Sequence, residues 1–302
     1  MSTPVRIAFQ GELGAFSEEA ILQLWGSDVE PVPQREFRDV VSALRSGSVD
    51  RAILPLENTI VGSVQASHDA IDAHDDLFAI AETVVAVHHC LLGPPGARFE
   101  QVTNVFSHPV ALAQCGGFFA QHSRLDVHAV YDTAGAALDV SNLADPTFAA
   151  VASRNSAERY HLDILKADIE DRHDNQTRFI AFAREPLPLP PLTPARTMLL
   201  LTTTDVPGAL LQALAPLASH GINMRRIETR PTGNPWSYRF FVEFDHQVGD
   251  EDVNAVIGEI ADHARAVRVV GTYPRWEAGR RGSIGWKSGD LPPDVSDSAS
   301  DA

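Results

Sequence analysis

The stretch EPLPLPPLTPA restricts this chain more than any other. Pro186, Pro188, Pro190, Pro191 and Pro194 crowd it, and each proline fixes φ and removes a backbone donor, so neither a helix nor a central strand persists there. A semi-rigid linker is predicted over residues 185–196, and it divides the chain into two folding units of different pattern.

Before it, from residue 4 to 184, short runs rich in β-branched residues alternate with helix-period segments, the pattern of βα units around a largely parallel sheet. VRIAF (5–9), RAILPL (51–56) and TFAAVA (147–152) read as strands. Phe37, Val40, Val41 and Leu44 fall on one face of a helix that Gly47 can close. After the linker, TMLLLTTT reads as a strand and Leu210, Leu211, Leu214, Leu217 and Ala218 as one helix face. INMRRIETR and SYRFFVEF give two further strands, residues 250–263 a helix and VRVVGTY a last strand. That order, βαββαβ over 197–276, is ferredoxin-like. The tail from 277 to 302 has little to bury and reads as disordered.

Composition removes several function classes. A net charge of −16 without any Lys/Arg cluster repels nucleic acid and anionic lipid. Two cysteines, Cys90 and Cys115, give no disulfide framework and no zinc spacing, so both are expected as packed, reduced thiols. No run approaches the roughly 18 apolar residues of a membrane span, and the N-terminus lacks a signal-peptide pattern. A cytoplasmic protein is expected.

Four segments carry candidate chemistry. GELGAFSEEA (11–20) places two glycines and Ser17 between strand and helix, which suits a backbone anion site or a plain capped turn. It is neither a dinucleotide fingerprint nor a Walker loop. LPLENTIVGSV (54–64) puts Glu57, Asn58 and Thr59 at a strand end, where open α/β sheets bind ligands, though a solvated turn explains them too. FSHPVALAQC (106–115) and YDTAGAA (131–137) each begin a helix with His108, Asp132 or Thr133, as caps or as ligand groups. His88-His89 lacks the spacing of a metal site. HDNQTRFIAF (173–182) sets Thr177 and Arg178 at the mouth of a buried strand, where Arg178 could fork a planar anion or pair with Asp174.

Taken together, GELGAFS, LPLENTIVGSV, SHPVALAQC, DTAGAA and NQTRF resemble, in order and spacing, the motifs of prephenate dehydratase across residues 4–184. PGALLQAL and INMRRIETRP resemble the phenylalanine-binding segments of an ACT regulatory domain. Three positions depart from the family pattern: Glu12 where proline is common, Thr59 for serine, and Thr229 for the serine of Glu-Ser-Arg-Pro.

The resemblance implies an α/β fold of two lobes, like a type II periplasmic binding protein, followed by the ferredoxin-like ACT domain. Lobe one would span about 4–76 and 166–184, lobe two about 77–165. It implies decarboxylating dehydration of prephenate to phenylpyruvate, without metal or organic cofactor. Thr177 would be the catalytic donor, with Arg178 on a substrate carboxylate and Glu57 as a proton relay. Gly14, Ser17, Asn58, Thr59, Ser63, His108, Asp132, Thr133, Asn175 and Phe179 would surround the substrate. Gly208, Ala209, Leu210, Asn223, Glu228, Thr229, Arg230 and Pro231 would hold the effector L-phenylalanine in a homodimer or homotetramer. Exposed apolar sheet in a lone ferredoxin-like unit would favour that pairing. A chorismate mutase fusion is not expected. Rival readings are an arogenate or dual-specificity dehydratase and a non-catalytic two-lobed ligand sensor.

Overall fold

The computed structural model describes residues 4–232, 237–249 and 251–277. The chain begins with β1 (Val5–Gln10), α1 (Phe16–Trp25), β2 (Val29–Gln34), α2 (Phe37–Arg45), β3 (Arg51–Asn58), the two-residue β4 (Gly62–Ser63), α3 (Gln65–Asp72) and β5 (Phe78–Ala86). Next come β6 (Cys90–Gly93), β7 (Asn104–Ser107), α4 (Pro109–Gln114), α5 (Gly116–Gln121), β8 (Asp126–Ala129), α6 (Thr133–Leu143), β9 (Phe148–Ala152), α7 (Arg154–Tyr160) and β10 (Asp163–Lys166). Then follow β11 (Gln176–Ala183), β12 (Pro194–Thr202), α8 (Ala209–Ser219), β13 (Met224–Pro231), β14 (Tyr238–Gln247), α9 (Glu251–His263) and β15 (Ala266–Pro274).

Three sheets result. The first lobe has order β2-β1-β3-β11-β5 with β4 beside β3, the second β10-β6-β9-β7-β8, and the C-terminal domain β13-β14-β12-β15. The last order is that of a ferredoxin-like unit. In the first lobe β1 runs parallel to β2 and β3, whereas β11 is antiparallel to both β3 and β5. The expected lobe boundary near residue 76 is corrected by this pairing. β5 is buried along most of its length and hydrogen-bonds β11 from Phe78 to Ala86, so it belongs to the first lobe. The chain therefore crosses between β5 and β6 and returns between β10 and β11. β12 also opens at Pro194, inside the stretch expected as linker.

Local sequence accounts for these elements. In α2, Val40, Val41 and Leu44 are buried together, and Gly47 takes the left-handed φ of +75° that ends the helix. In α8 the expected face holds for Leu210, Leu214 and Leu217, which pack on the sheet core, and is corrected at Leu211 and Ala218. Leu211 is 74% exposed and Ala218 is exposed, while Ala209, Ala213 and Leu217 are buried. Helical geometry lets only one stripe face the sheet, and that stripe passes through the alanines. The expected tail lies outside the described residues beyond Glu277.

The C-terminal sheet is apolar on both faces. Leu199, Leu201, Val242 and Phe244 pack under α8 and α9, while Met198, Leu200, Phe241, Val270 and Tyr273 join one core with Val40, Leu44, Leu56 and Ile71 of the first lobe. The face expected to be exposed is thus covered by the chain's own first lobe. Burying each large apolar side chain stabilises by roughly 1.5–3 kcal/mol. The approach is close: a Cβ on Gly271 of β15 would sit 2.2 Å from the Ala79 carbonyl oxygen of β5. Among the described residues no helix is long and apolar enough to cross a membrane.

Candidate active site

Successive side chains of a strand point to opposite faces, and this alternation governs the site. On β11, Phe179 and Ala181 pack with Phe9, Ile21 and Val85 against α1, whereas Ile180 and Phe182 pack toward the C-terminal domain. Thr177 shares the first parity and Arg178 the second. The polar pair at the strand mouth is thereby split between two interfaces.

Thr177 lies where the two lobes meet. Asn58, opposite it on β3, donates from Nδ2 to Thr177 Oγ1 at 2.9 Å and to Asn175 Oδ1 at 2.7 Å. Asn58 Oδ1 accepts from the backbone of Ile60 at 2.9 Å and Val61 at 3.0 Å. All four hydrogen-bonding capacities of this amide are filled, which fixes its orientation. Asn175, fully buried, donates onward to Gln114 Oε1 of the second lobe at 3.1 Å. The same oxygen lies 2.9 Å from His89 Nε2, so that nitrogen carries the imidazole proton. Burial holds the His89 pKa below its ordinary value, and its Nδ1 is buried without a hydrogen-bond partner. Because Thr177 Oγ1 already accepts from Asn58, its own proton is free to be donated outward.

Arg178 is placed elsewhere, and its expected contact with a substrate carboxylate is corrected. Its Nε meets Glu82 at 2.8 Å, and its Nη2 meets Glu243 at 2.5 Å and the Tyr273 hydroxyl at 3.0 Å. Burial alone would lower its pKa, but Tyr273, Glu243 and Glu82 outweigh that and raise it. Nor does it pair with Asp174, whose carboxylate is taken by Arg172. Glu57 and Ser63 face one another across β3 and β4, with the parity of Arg178. Glu57 pairs with Arg226 at 3.3 Å, and Ser63 joins Arg226 at 2.8 Å and Glu228 at 2.5 Å. Both are turned toward the C-terminal domain by the pleat.

Several expected substrate contacts have structural partners instead. Thr59 Oγ1 clamps the Asp174 carbonyl and the Gln176 N–H, and Phe179 is core. The 11–18 loop docks on the second lobe: the Gly14 carbonyl accepts from Ser153 at 2.6 Å and Ser156 at 2.9 Å, and its N–H is taken by Glu18. Ser17 is buried within α1. Asp132 caps α6 through the Gly135 N–H at 2.7 Å, with Thr133 as the first helical residue. A Cβ on Gly11 would lie 2.9 Å from that carboxylate. His108 caps α4 through the Val110 N–H.

Of the expected effector residues, Gly208 opens α8 in a left-handed conformation, followed by Ala209 and Leu210, and Asn223 precedes β13. The β13 pleat divides the rest. Glu228 joins Ser63 and Arg230 meets Asp69 at 2.6 Å, both toward the first lobe. Thr229 has the other parity, and Pro231 pairs with Tyr238 at the strand end.

Two residues of the Asn58–Thr177 network, and Arg35 of a hollow that Asn58, Asn175 and Thr177 do not line, were not singled out by sequence. Gln114 ends the SHPVALAQ stretch, and His89 was weighed only as a metal ligand. Arg35 lines a hollow of about 720 Å³ with Gln10, Val64 and His108, and its guanidinium lies 5.8 Å over the Tyr131 ring. His88, Asp168 and Glu170 offer three ligand atoms within 4.8 Å. These groups are already engaged: Glu170 by His88 and the His89 N–H at 2.8 Å each, and Asp168 by Arg154 at 2.8 Å.

Comparison with known proteins follows the same division. The prephenate dehydratase family matches residues 7–187 and the ACT domain family residues 197–262. An arogenate dehydratase/prephenate dehydratase 2, chloroplastic, of Arabidopsis thaliana is 38% identical over 282 residues, covering 89% of this chain and 73% of the relative. A prephenate dehydratase from Arthrobacter aurescens, solved in complex with L-Phe, superposes with a TM-score of 0.82 at 30% identity, covering 90% of each chain. A structure described as GqqA, of a novel type of quorum-quenching acylases, has the same TM-score of 0.82 at 33% identity, covering 91% of this chain and 100% of that one.

Proposed function

Because the chain belongs to the prephenate dehydratase family and carries an ACT domain, we propose that it converts prephenate to phenylpyruvate under feedback control by L-phenylalanine. The observation that carries the site assignment is the Asn58–Thr177 hydrogen bond at the lobe junction. Prephenate loses a carboxylate as CO2, the electrons of that bond aromatise the ring, and the ring hydroxyl departs as water after gaining one proton. Thr177 stands ready to supply that hydrogen bond. Its oxygen already accepts from Asn58, which steadies the negative charge that develops when the proton shifts toward the leaving group. Solvent then restores the proton. Thr177, Asn58 and Asn175 form the reacting edge.

With Arg178 committed elsewhere, Arg35 and His108 around the hollow are the cationic and polar groups assigned to the carboxylates. Asp132 and Thr133 stand across the lobe junction. Gly208, Ala209, Leu210, Asn223 and Thr229 remain the proposed effector contacts. Burial pushes the thiols of Cys90 and Cys115 up, and both are free, as suits a reducing compartment such as the cytoplasm. A homodimer or homotetramer is proposed because β13 is an edge strand whose own Met224 and Ile227 are exposed.

Arogenate differs only by an ammonium in place of the ketone, and the Arabidopsis relative is named for both activities. The deciding assay is product formation from prephenate and from arogenate, each with and without phenylalanine, with an N-acyl amide as a third substrate. Rapid prephenate turnover suppressed by phenylalanine is expected. Preference for arogenate would keep the site and change the substrate, and turnover of the amide alone would overturn the reading.

A further inference from the structure

The two residues that meet in the cleft, Asn58 and Thr177, each follow or precede a residue turned the other way. Glu57 comes before Asn58 on β3, and Arg178 comes after Thr177 on β11. Both of these outward residues reach the ACT domain, and their contacts there converge. The Glu243 carboxylate of β14, fully buried, binds Arg178 through Oε2 at 2.5 Å and Arg226 through Oε1 at 3.5 Å. The Arg226 guanidinium reaches Glu57 at 3.3 Å, Ser63 at 2.8 Å and His68 at 3.0 Å, all in the first lobe. It also meets Glu228 at 3.3 Å, within the segment expected to contact the effector.

We infer that Glu243 and Arg226 are positioning residues for the Asn58–Thr177 pair, holding from the ACT side the two strand ends whose next residues meet in the cleft. One carboxylate fixes two guanidinium groups, and each guanidinium fixes one strand. A strand is stiff across its pleat, so a turn of Glu57 or Arg178 moves Asn58 or Thr177. The Arg178–Glu243 pair is buried and has few alternative geometries, because leaving one partner unpaired is costly, whereas half-exposed Glu57 is held by Arg226 together with Ser63 of the adjoining β4. The ACT domain therefore sets the donor geometry of the Asn58–Thr177 pair through the neighbouring residues of the two strands. This inference rests on the dehydratase reading for its meaning, but not for its test.

The test uses the full chain, deuterated and 15N-labelled, and follows the Asn58 side-chain amide resonances, assigned by their loss in Asn58→Asp. Glu243→Gln and Arg226→Lys keep the side-chain size. Arg239→Lys, which loosens the contact with Asp72 on the same interface, is the control. Both test variants are expected to shift the Asn58 resonances and the control to leave them in place. In turnover, the same two variants are expected to lose roughly tenfold in kcat, with KM within about twofold. Unmoved Asn58 resonances in folded Glu243→Gln or Arg226→Lys, or an equal shift in Arg239→Lys, overturn the inference. Should Glu243→Gln not fold, Arg226→Lys decides. A parent enzyme without turnover sinks the dehydratase reading, while the resonances still decide this one.

Discussion

Toward the second lobe, the first lobe presents mainly hydrogen-bonding groups, the amides of Asn58 and Asn175, the Thr177 hydroxyl and the Gly14 carbonyl held by Ser153 and Ser156, together with Glu12, which accepts from Tyr131, and Glu18, which forms a long ion pair with Arg159 at 3.7 Å. Toward the ACT domain it presents Glu57, Asp69, Asp72, Glu82 and Arg178, met by Arg226, Arg230, Arg239, Arg196 and Glu243 over a shared apolar core. Neutral hydrogen bonds contribute about 1 kcal/mol each and exchange readily with water or ligand. Breaking a buried ion pair costs about 3–5 kcal/mol. By these magnitudes the first junction is the cheaper of the two to part.

That contrast can be attacked from either side. The largest effect is expected from Arg178→Ala, which leaves buried Glu82 with Arg196 alone and buried Glu243 with Arg226 alone as cationic partners and should cost about 3–5 kcal/mol of stability, read by chemical denaturation. Unchanged stability with a strongly raised KM would return Arg178 to the substrate. Thr177→Val should keep the fold and lower kcat by roughly 10²–10³; near-normal turnover would remove the hydroxyl from the chemistry. Gly271→Ala drives a methyl into the Ala79 backbone and should cost about 1–3 kcal/mol, with the melting temperature as readout. A neutral effect there would mean that the two domains are not in rigid contact.

The smallest effect concerns pH. His68 sits under the ACT sheet, edge-on to Phe241 and 3.0 Å from Arg226, and burial holds its pKa below the ordinary 6.5. The unfolded chain then binds the proton more readily than the folded one. Stability should fall as pH drops below about 6.5 toward the depressed folded value. His68→Gln should flatten that slope, and an identical slope would place the acid sensitivity elsewhere. Glu243 and Asp245, both held below the ordinary carboxylate range by arginines that outweigh burial, lose their contribution only at lower pH.

Much of this was legible in the sequence. The prolines divided the chain, apolar periodicity placed β1, β3, α2 and β9, and five short motifs identified the family. Thr177, Asn58 and Asn175, expected near one another from short local segments, are joined by hydrogen bonds in the structure. The role of Arg178 was misjudged because a strand's parity fixes opposite faces without saying what covers each, and the carboxylate that covers it, Glu243, is more than 60 residues away along the chain. Glu57 and Ser63 went astray for the same reason. Gln114 and His89 were passed over because each is unremarkable until the fold brings them to one amide oxygen. The lobe boundary shifted because nothing within β5, FAIAETVVA, says which lobe it joins, and only its pairing with β11 assigns it.

The shared core has a further consequence for how separable the regulator is. In many modular proteins a ferredoxin-like unit can be cut out and grafted. Here Met198, Leu200, Phe241, Val270 and Tyr273 are covered by the first lobe, so an excised ACT domain would expose a continuous oily surface together with the Glu243 carboxylate deprived of Arg178. Such a fragment is a poor candidate for transplantation into another enzyme, and a chimera would have to carry the matching half of the interface with it.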